Sequence, residues 1–215
     1  MQVLRHKALD GAKRSDFKMH LTQRIACPVA LLSLGTCTLA RTHGETVDAV
    51  RYNATLAGPI DSPHGYFRFY PKTTQSGATP VAHIEIKLTN FVNSTAGNFS
   101  YHIHQNRVPD IITNPAIDCM QAGGHLNSKG VADTVICDHE HPDLCQDGDL
   151  SGKYGKVPAL QVASPAKTWR IKFDDPFLAF TTEGNGIVGR SVVVHDKDKK
   201  RLACANIVEF HSSKH

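Results

Sequence analysis

The sequence lacks most features typical of a membrane protein, a nucleic-acid-binding protein or a zinc finger. Its longest apolar stretch, residues 25–39, is short and is interrupted by Pro28 and Gly35, so it does not suit a membrane span. No basic stripe with interleaved aromatic residues is present, which argues against nucleic acid as a partner. No Cys-x-x-Cys pair occurs among the six cysteines, which disfavours a zinc knot. Internal repeats and low-complexity segments are also missing.

The N-terminal segment has the order of features typical of a secretory signal. Residues 20–40 run from basic residues, through the apolar stretch, to small residues around Ala40. We predict an N-terminal extension and signal peptide at 1–40 and one domain at 41–215, with a tail anchor or a buried helix as the alternative. Residues 1–40 hold six of the 24 basic and two of the 20 acidic residues, which leaves 18 of each. The predicted product is therefore a secreted, extracellular domain without net charge.

Cysteine usage in the domain agrees with export. Four cysteines follow the predicted signal, at Cys119, Cys137, Cys145 and Cys204. An even number in an exported chain suggests two disulfides, and three connectivities are open. A Cys137–Cys145 bond would close a small loop, and a Cys119–Cys204 bond would tie a long loop to the last predicted strand.

Three sequons also favour an exported glycoprotein, at Asn53, Asn93 and Asn98. Residues 209–215 carry no hydrophobic tail, which disfavours a lipid-anchor signal. We therefore expect no membrane anchor after signal cleavage.

Alternation of apolar and polar residues recurs along the domain and predicts short β-strands separated by turns. Only residues 105–160 break this pattern, and a loop of that length in a compact domain is typical of a functional segment. The pattern predicts an all-β sandwich or barrel. The predicted strands are 48–56, 64–70, 82–88, 99–104, 168–173, 187–195 and 202–210.

Four histidines form the most informative pattern. His102 and His104 alternate on one predicted strand, so both side chains point to the same face. His125 and His195 come from distant segments and complete a set of four imidazoles, a donor set that suits Cu(II). A lone histidine of this kind would more often be a strand or loop residue, but the combination predicts a copper site.

The order of these motifs resembles the copper/zinc superoxide dismutase family over residues 48–210. The shared pieces are His-x-His at 102–104, Gly-Gly-His at 123–125, Gly-Asp-Leu at 148–150, and the segments 189–195 and 201–204. The resemblance implies a Greek-key β-sandwich or barrel of about eight antiparallel strands with one long disulfide-tied loop.

The resemblance also implies a role for individual residues. It makes Arg201 the guide for the superoxide anion, His125 the ligand between copper and zinc, and Asp149 an acidic zinc ligand. It pairs Cys119 with Cys204. The four copper ligands that it implies are His102, His104, His125 and His195.

Two departures from the family pattern point away from zinc. Gln146 and Asp133 stand where the other two zinc histidines are expected. Residues 196–200 allow only a tight hairpin before Arg201, where the zinc-containing enzymes have a long charged loop. Both departures resemble the extracellular copper-only branch found in fungi and related organisms. We predict copper without zinc, with His139 or His141 as the ligands that a zinc-containing alternative would use.

The resemblance implies superoxide disproportionation by Cu(II)/Cu(I) cycling, with superoxide as substrate and oxygen and hydrogen peroxide as products. Arg201 would attract the anion, and His125 would carry a proton. Without zinc, another group must orient the His125 ring, and Asp149 is the predicted group. The alternatives are a zinc-containing dismutase, a non-catalytic extracellular copper-binding protein, and an adhesion or structural sandwich. A monomer is favoured.

Overall fold

In the part of the chain that the structure describes, eight β-strands form the domain and confirm the predicted all-β fold. The structure is a computed structural model that describes residues 50–73, 78–91, 98–159, 164 and 166–210. The predicted signal segment and the sequon at Asn93 lie outside the described residues. Within the described ranges, no helix is both long and apolar enough to cross a membrane. The strands are β1 Arg51–Leu56, β2 His64–Lys72, β3 Val81–Thr89, β4 Ser100–His104, β5 Thr168–Asp175, β6 Ser191–His195, β7 Arg201–Asn206 and β8 Val208–Phe210.

The strands form two antiparallel sheets around one core. One sheet has five strands in the order β5-β3-β2-β1-β8, and the other has three in the order β4-β6-β7. In β3 every second side chain is buried, which places Ile84 and Ile86 in the core and His83 and Glu85 on the outer face. This period of two is the one that the sequence shows. The apolar side chains of the three-stranded sheet that join this core include Tyr101, Ile103, Val192 and Val194.

Two predicted strands differ from the structure. The segment 202–210 is not one strand, because the chain passes from the three-stranded to the five-stranded sheet at Ile207. The amide of Ile207 donates to the carbonyl of Arg190 (2.8 Å), so it leaves the strand ladder there. The segment 187–195 becomes a strand only from Ser191, since Gly189 has a φ of 75° that interrupts extended backbone.

Among the described residues, the helices lie in the long segment between β4 and β5, together with Cys119, Cys137 and Cys145, whereas Cys204 lies in β7. The helices are α1 Pro115–Asp118 and α2 Leu150–Tyr154, with 3-10 turns at Cys119–Ala122 and Pro142–Leu144. Disulfides join Cys119 to Cys204 and Cys137 to Cys145. This is the long disulfide-tied loop of the prediction.

A backbone ladder fixes this loop against β4. The amide of Ile103 donates to the carbonyl of Gly148, and the amide of Leu126 donates to the carbonyl of Ile103. The amide of Gly148 donates in turn to Leu126 (2.8 Å). A Cβ at position 148 would lie 2.2 Å from the oxygen of Ile103, so only glycine allows this approach. The ladder brings the loop to the strand that carries His102 and His104.

Candidate metal centre

Strand β4 presents His102 and His104 on the face opposite the core. Tyr101 and Ile103 are fully buried in the core, and the period of two turns both histidines toward the loop that covers the sheet. Both rings are themselves buried beneath that loop.

Two further elements bring His195 and His125 to the same place. His195 ends β6 opposite Ser100 of β4, two residues from His102, so the rings of His102 and His195 are diagonal neighbours. A register shift between Val194 and His195 lies at this point. His125 forms an isolated bridge with His104, next to the backbone ladder described above.

The four rings converge on one point. His102, His104, His125 and His195 each offer a nitrogen, and these four nitrogens lie within 4.8 Å of one another. Among the described residues, this is the one group of three or more His, Cys, Asp or Glu side chains with such geometry. The set predicted from the sequence is brought together in full.

Hydrogen bonds to oxygen acceptors fix the proton on three of the rings. Nδ1 of His104 donates to the carbonyl of Gly123 (3.0 Å), and Nδ1 of His195 donates to the carbonyl of Lys199 (3.2 Å). Nδ1 of His125 donates to Oε1 of Gln146 (2.6 Å). A neutral imidazole carries one N–H, so each of these rings directs the lone pair of Nε2 away from its partner. Nε2 of His104 and Nε2 of His195 are only 3.2 Å apart.

These lone pairs fit a cation. Two acceptor nitrogens at such a distance repel each other unless a positive centre lies between them. Nδ1 of His102 is buried and has no hydrogen-bond partner in the described structure, which costs free energy unless a ligand takes it up. Four nitrogen donors of this kind suit Cu(II), so the residues present fit copper.

Burial favours the neutral, metal-binding form of His104, His195 and His125. Desolvation lowers the pKa of His104 to about 2 and the pKa of His195 to about 3. Burial also lowers the pKa of His125. Each pKa lies below the ordinary value for histidine, so protons compete weakly with a metal ion at neutral pH.

The group that orients His125 differs from the sequence prediction. Asp149 was expected to orient His125, but the structure places Gln146 at this ring. The amide group of Gln146 donates to the carbonyl of Val131 and to Asp133, which turns its oxygen toward His125. Asp149 instead lies beside His102, with Oδ1 3.3 Å from Nε2. In the sequence, Gln146 was noted only because it stands where the family has a zinc-binding histidine. Its position three residues before Asp149 was the one feature that could have indicated a role at the site.

Replacing Gln146 by leucine tests its role at His125. Loss of the Oε1 acceptor frees the ring to rotate and to change tautomer, and loss of such a partner typically weakens metal binding about 10–100-fold. We expect a copper dissociation constant raised by this factor, measured by competition with a chelator. Gln121→Leu makes the same chemical change at an exposed position of the same loop and serves as control. Equal copper affinity in the two variants would contradict the role of Gln146.

Arg201 lies at the edge of the cluster. Its guanidinium donates to the carbonyls of Cys119 and Gly123, the second at 2.6 Å. The carbonyl of Gly123 also accepts from His104, so Arg201 shares an acceptor with a ring of the centre. The side chain is half-buried and adds a fixed positive charge beside the four rings.

The other predicted site residues lie elsewhere. His139 contacts Glu140 at 2.9 Å and is 72% exposed, and His141 is also exposed. Neither belongs to the four-nitrogen cluster. Of the described sequons, Asn53 lies half-buried in β1 and Asn98 is exposed next to β4, so glycosylation at both stays a prediction.

The fold and centre together define a class, an antiparallel β-sandwich metalloprotein with an all-histidine site. The family model for copper/zinc superoxide dismutase matches residues 63–207. The chain belongs to the copper/zinc superoxide dismutase family.

Relatives in fungi include two cell-surface proteins. The chain is 34% identical over 115 residues to cell surface superoxide dismutase [Cu-Zn] 6 of Candida albicans. This alignment covers 53% of the chain and 32% of the relative. The chain is 35% identical over 123 residues to a cell surface Cu-only superoxide dismutase of Arthroderma benhamiae, covering 56% and 30%. The matches thus span about a third of the length of these curated relatives.

A solved structure shares the fold. Superoxide dismutase 5 of Candida albicans in its Cu(II) form superposes with a TM-score of 0.60 at 22% identity, covering 78% of this chain and 96% of that one. At this identity the likeness concerns the fold alone.

Proposed function

We propose that this protein is an extracellular superoxide dismutase that binds copper through His102, His104, His125 and His195. The convergence of four imidazole nitrogens within 4.8 Å carries this proposal. Membership of the family supports the reaction, two superoxide anions and two protons giving oxygen and hydrogen peroxide. The bound copper would supply the one-electron chemistry, because it has two accessible oxidation states.

Three side chains would attract the substrate and position protons. The positive charge of Arg201 attracts the superoxide anion toward the ring cluster. Hydrogen bonds to two backbone carbonyls hold the guanidinium in position beside the rings. His125 is the least buried of the four rings, so it is the ring best placed to exchange a proton with solvent at Nε2. Gln146 holds the other proton of this ring on Nδ1.

We propose that the site takes copper without zinc. In the described structure Nδ1 of His125, the atom that a second metal would need, donates to Gln146. Asp149 caps α2 and contacts His102, and His139 and His141 are exposed. Metal analysis of the purified chain tests this, with one copper and no stoichiometric zinc as the expected result.

The central experiment measures superoxide consumption by copper-loaded protein lacking residues 1–40, the proposed signal. The expected result is catalysis that depends on copper and disappears on chelation. Copper uptake without catalysis would favour the alternative of a non-catalytic copper-binding protein. Sequencing the N-terminus of secreted material tests cleavage after Ala40, and mass spectrometry of the same material tests the sequons.

Arg201→Ala is expected to slow superoxide consumption while copper content is retained, because no ligand is removed. Electrostatic attraction by a charge at such a site is worth about tenfold or more in association rate at low ionic strength. Rates measured against salt concentration should show a weaker salt dependence in the variant. Lys200→Ala removes the same charge from the exposed neighbouring residue and should have a smaller effect. An equal effect of both substitutions would assign the attraction to net charge rather than to Arg201.

A further inference from the structure

The hydroxyl of Ser151 lies at the metal centre without being a ligand. Its Oγ is 3.1 Å from Nε2 of His102, and the residue is 3% exposed. We propose that Ser151 is a positioning residue, whose hydroxyl sets the tautomer and orientation of His102 so that Nδ1 faces the metal. This inference rests on the proposed function for its biological meaning, but the copper site alone is enough to test it.

The hydrogen-bond pattern admits one tautomer of His102. With the proton on Nε2, the ring donates to Ser151, whose hydroxyl can donate to Oδ1 of Asp149 at 3.4 Å. With the proton on Nδ1, the N–H would be buried without an acceptor, because this atom has no hydrogen-bond partner in the described structure. The first arrangement leaves every proton paired and the Nδ1 lone pair free.

Asp149 is less well placed to do this alone. Its Oδ1 accepts from the amide of Gly152 at 2.7 Å and so caps the start of α2. The same oxygen is 3.3 Å from Nε2 of His102, farther than the hydroxyl of Ser151. A hydroxyl both accepts and donates, so Ser151 can link the ring to the carboxylate.

The support of Ser151 is rigid. Helix α2 is tied to the end of β5 by a fully buried ion pair between Lys153 and Asp175 (2.5 Å). A Cβ at Gly152 would stand 2.7 Å from Cβ of Cys137, so the helix packs directly on the second disulfide. A side chain held in this way keeps its partner ring in place, which is the usual function of groups behind metal ligands.

The test compares copper binding in variants of Ser151. Ser151→Ala should raise the Cu(II) dissociation constant about 10–100-fold in a chelator competition and should alter the Cu(II) electron paramagnetic resonance spectrum. Ser151→Thr and Ser151→Val differ only in a hydroxyl and a methyl group, so the first should bind copper more tightly than the second. Ser62→Ala is the control, because its buried hydroxyl donates to the carbonyl of Pro59 away from the centre. It should leave copper affinity unchanged.

Two results would overturn the proposal. One is equal affinity and equal spectra for the threonine and valine variants. The other needs no variant: nitrogen-15 NMR of the metal-free wild-type chain should show His102 protonated on Nε2, and an Nδ1–H tautomer would refute the assignment even if the variants fail to fold. Wild-type protein that binds copper but does not consume superoxide would refute the proposed function and leave the role of Ser151 standing.

Discussion

Removal of the Cys119–Cys204 disulfide, by serine at both positions, is expected to lower the free energy of unfolding by about 4–5 kcal/mol. The bond closes a loop of 85 residues, and in the chain-entropy model a loop of this length gives a stabilisation of that size. Both cysteines are buried, and Val193 and Ala122 pack against them. Denaturant unfolding of the metal-free variant and wild type, compared at equal pH, measures the difference.

The second disulfide provides a matched control. Cys137 and Cys145 are eight residues apart, so serine at both positions should cost about 2–3 kcal/mol. The variant without Cys119–Cys204 should also bind copper less tightly. The carbonyl of Cys119 accepts a hydrogen bond from Arg201, and Arg201 shares the carbonyl of Gly123 with His104, so movement of the backbone at position 119 would disturb this ring. Equal losses in the two double variants would show that native-state contacts, and not loop length, determine the contribution of each bond.

The sequence predicted the sheet-forming segments well where burial alternates with a period of two. In β3, Ile84, Ile86 and Leu88 alternate with polar residues, because one face of the strand is buried in the core and the other is not. The break between β7 and β8 at Ile207 was missed because it depends on a hydrogen bond to Arg190, which lies just before β6 and is distant in sequence. Period and composition do not register such a bond.

The sequence predicted which four histidines the structure brings together. His102 and His104 could be assigned to one face from their spacing. The sequence also grouped His125 and His195 with them as one predicted copper site, but the spacing of these two residues does not place them on that face, and the resemblance to a family supported their choice. Gln146 and Ser151 were missed, because their contacts depend on how the loop after β4 folds back onto it. Their residue types carry no metal-binding signal of their own, and a glutamine or serine in a loop is ordinarily solvated.

Replacing Lys153 by methionine is expected to cost about 3–5 kcal/mol of unfolding free energy, because it leaves the carboxylate of Asp175 buried and unpaired. Both side chains are fully buried, and Nζ of Lys153 also donates to the carbonyl of Asp147 at 2.8 Å. Burial lowers the pKa of Lys153, so the attraction of Asp175 opposes a desolvation cost. Thermal and denaturant unfolding of the variant measure the loss.

A neighbouring pair separates the effect of burial from that of charge. Lys72 contacts Asp174 at 2.6 Å, but these side chains are 50% and 39% exposed, so Lys72→Met should cost far less. Combining Lys153→Met with Asp175→Leu should recover much of the stability, since no uncompensated charge then stays buried. Lys153 lies two residues after Ser151 in α2, and Ser151 contacts His102. Lys153→Met should therefore also lower the affinity for copper, whereas Lys72→Met should not. Equal destabilisation by Lys153→Met and Lys72→Met would mean that water reaches Lys153 and that α2 is held by its other contacts.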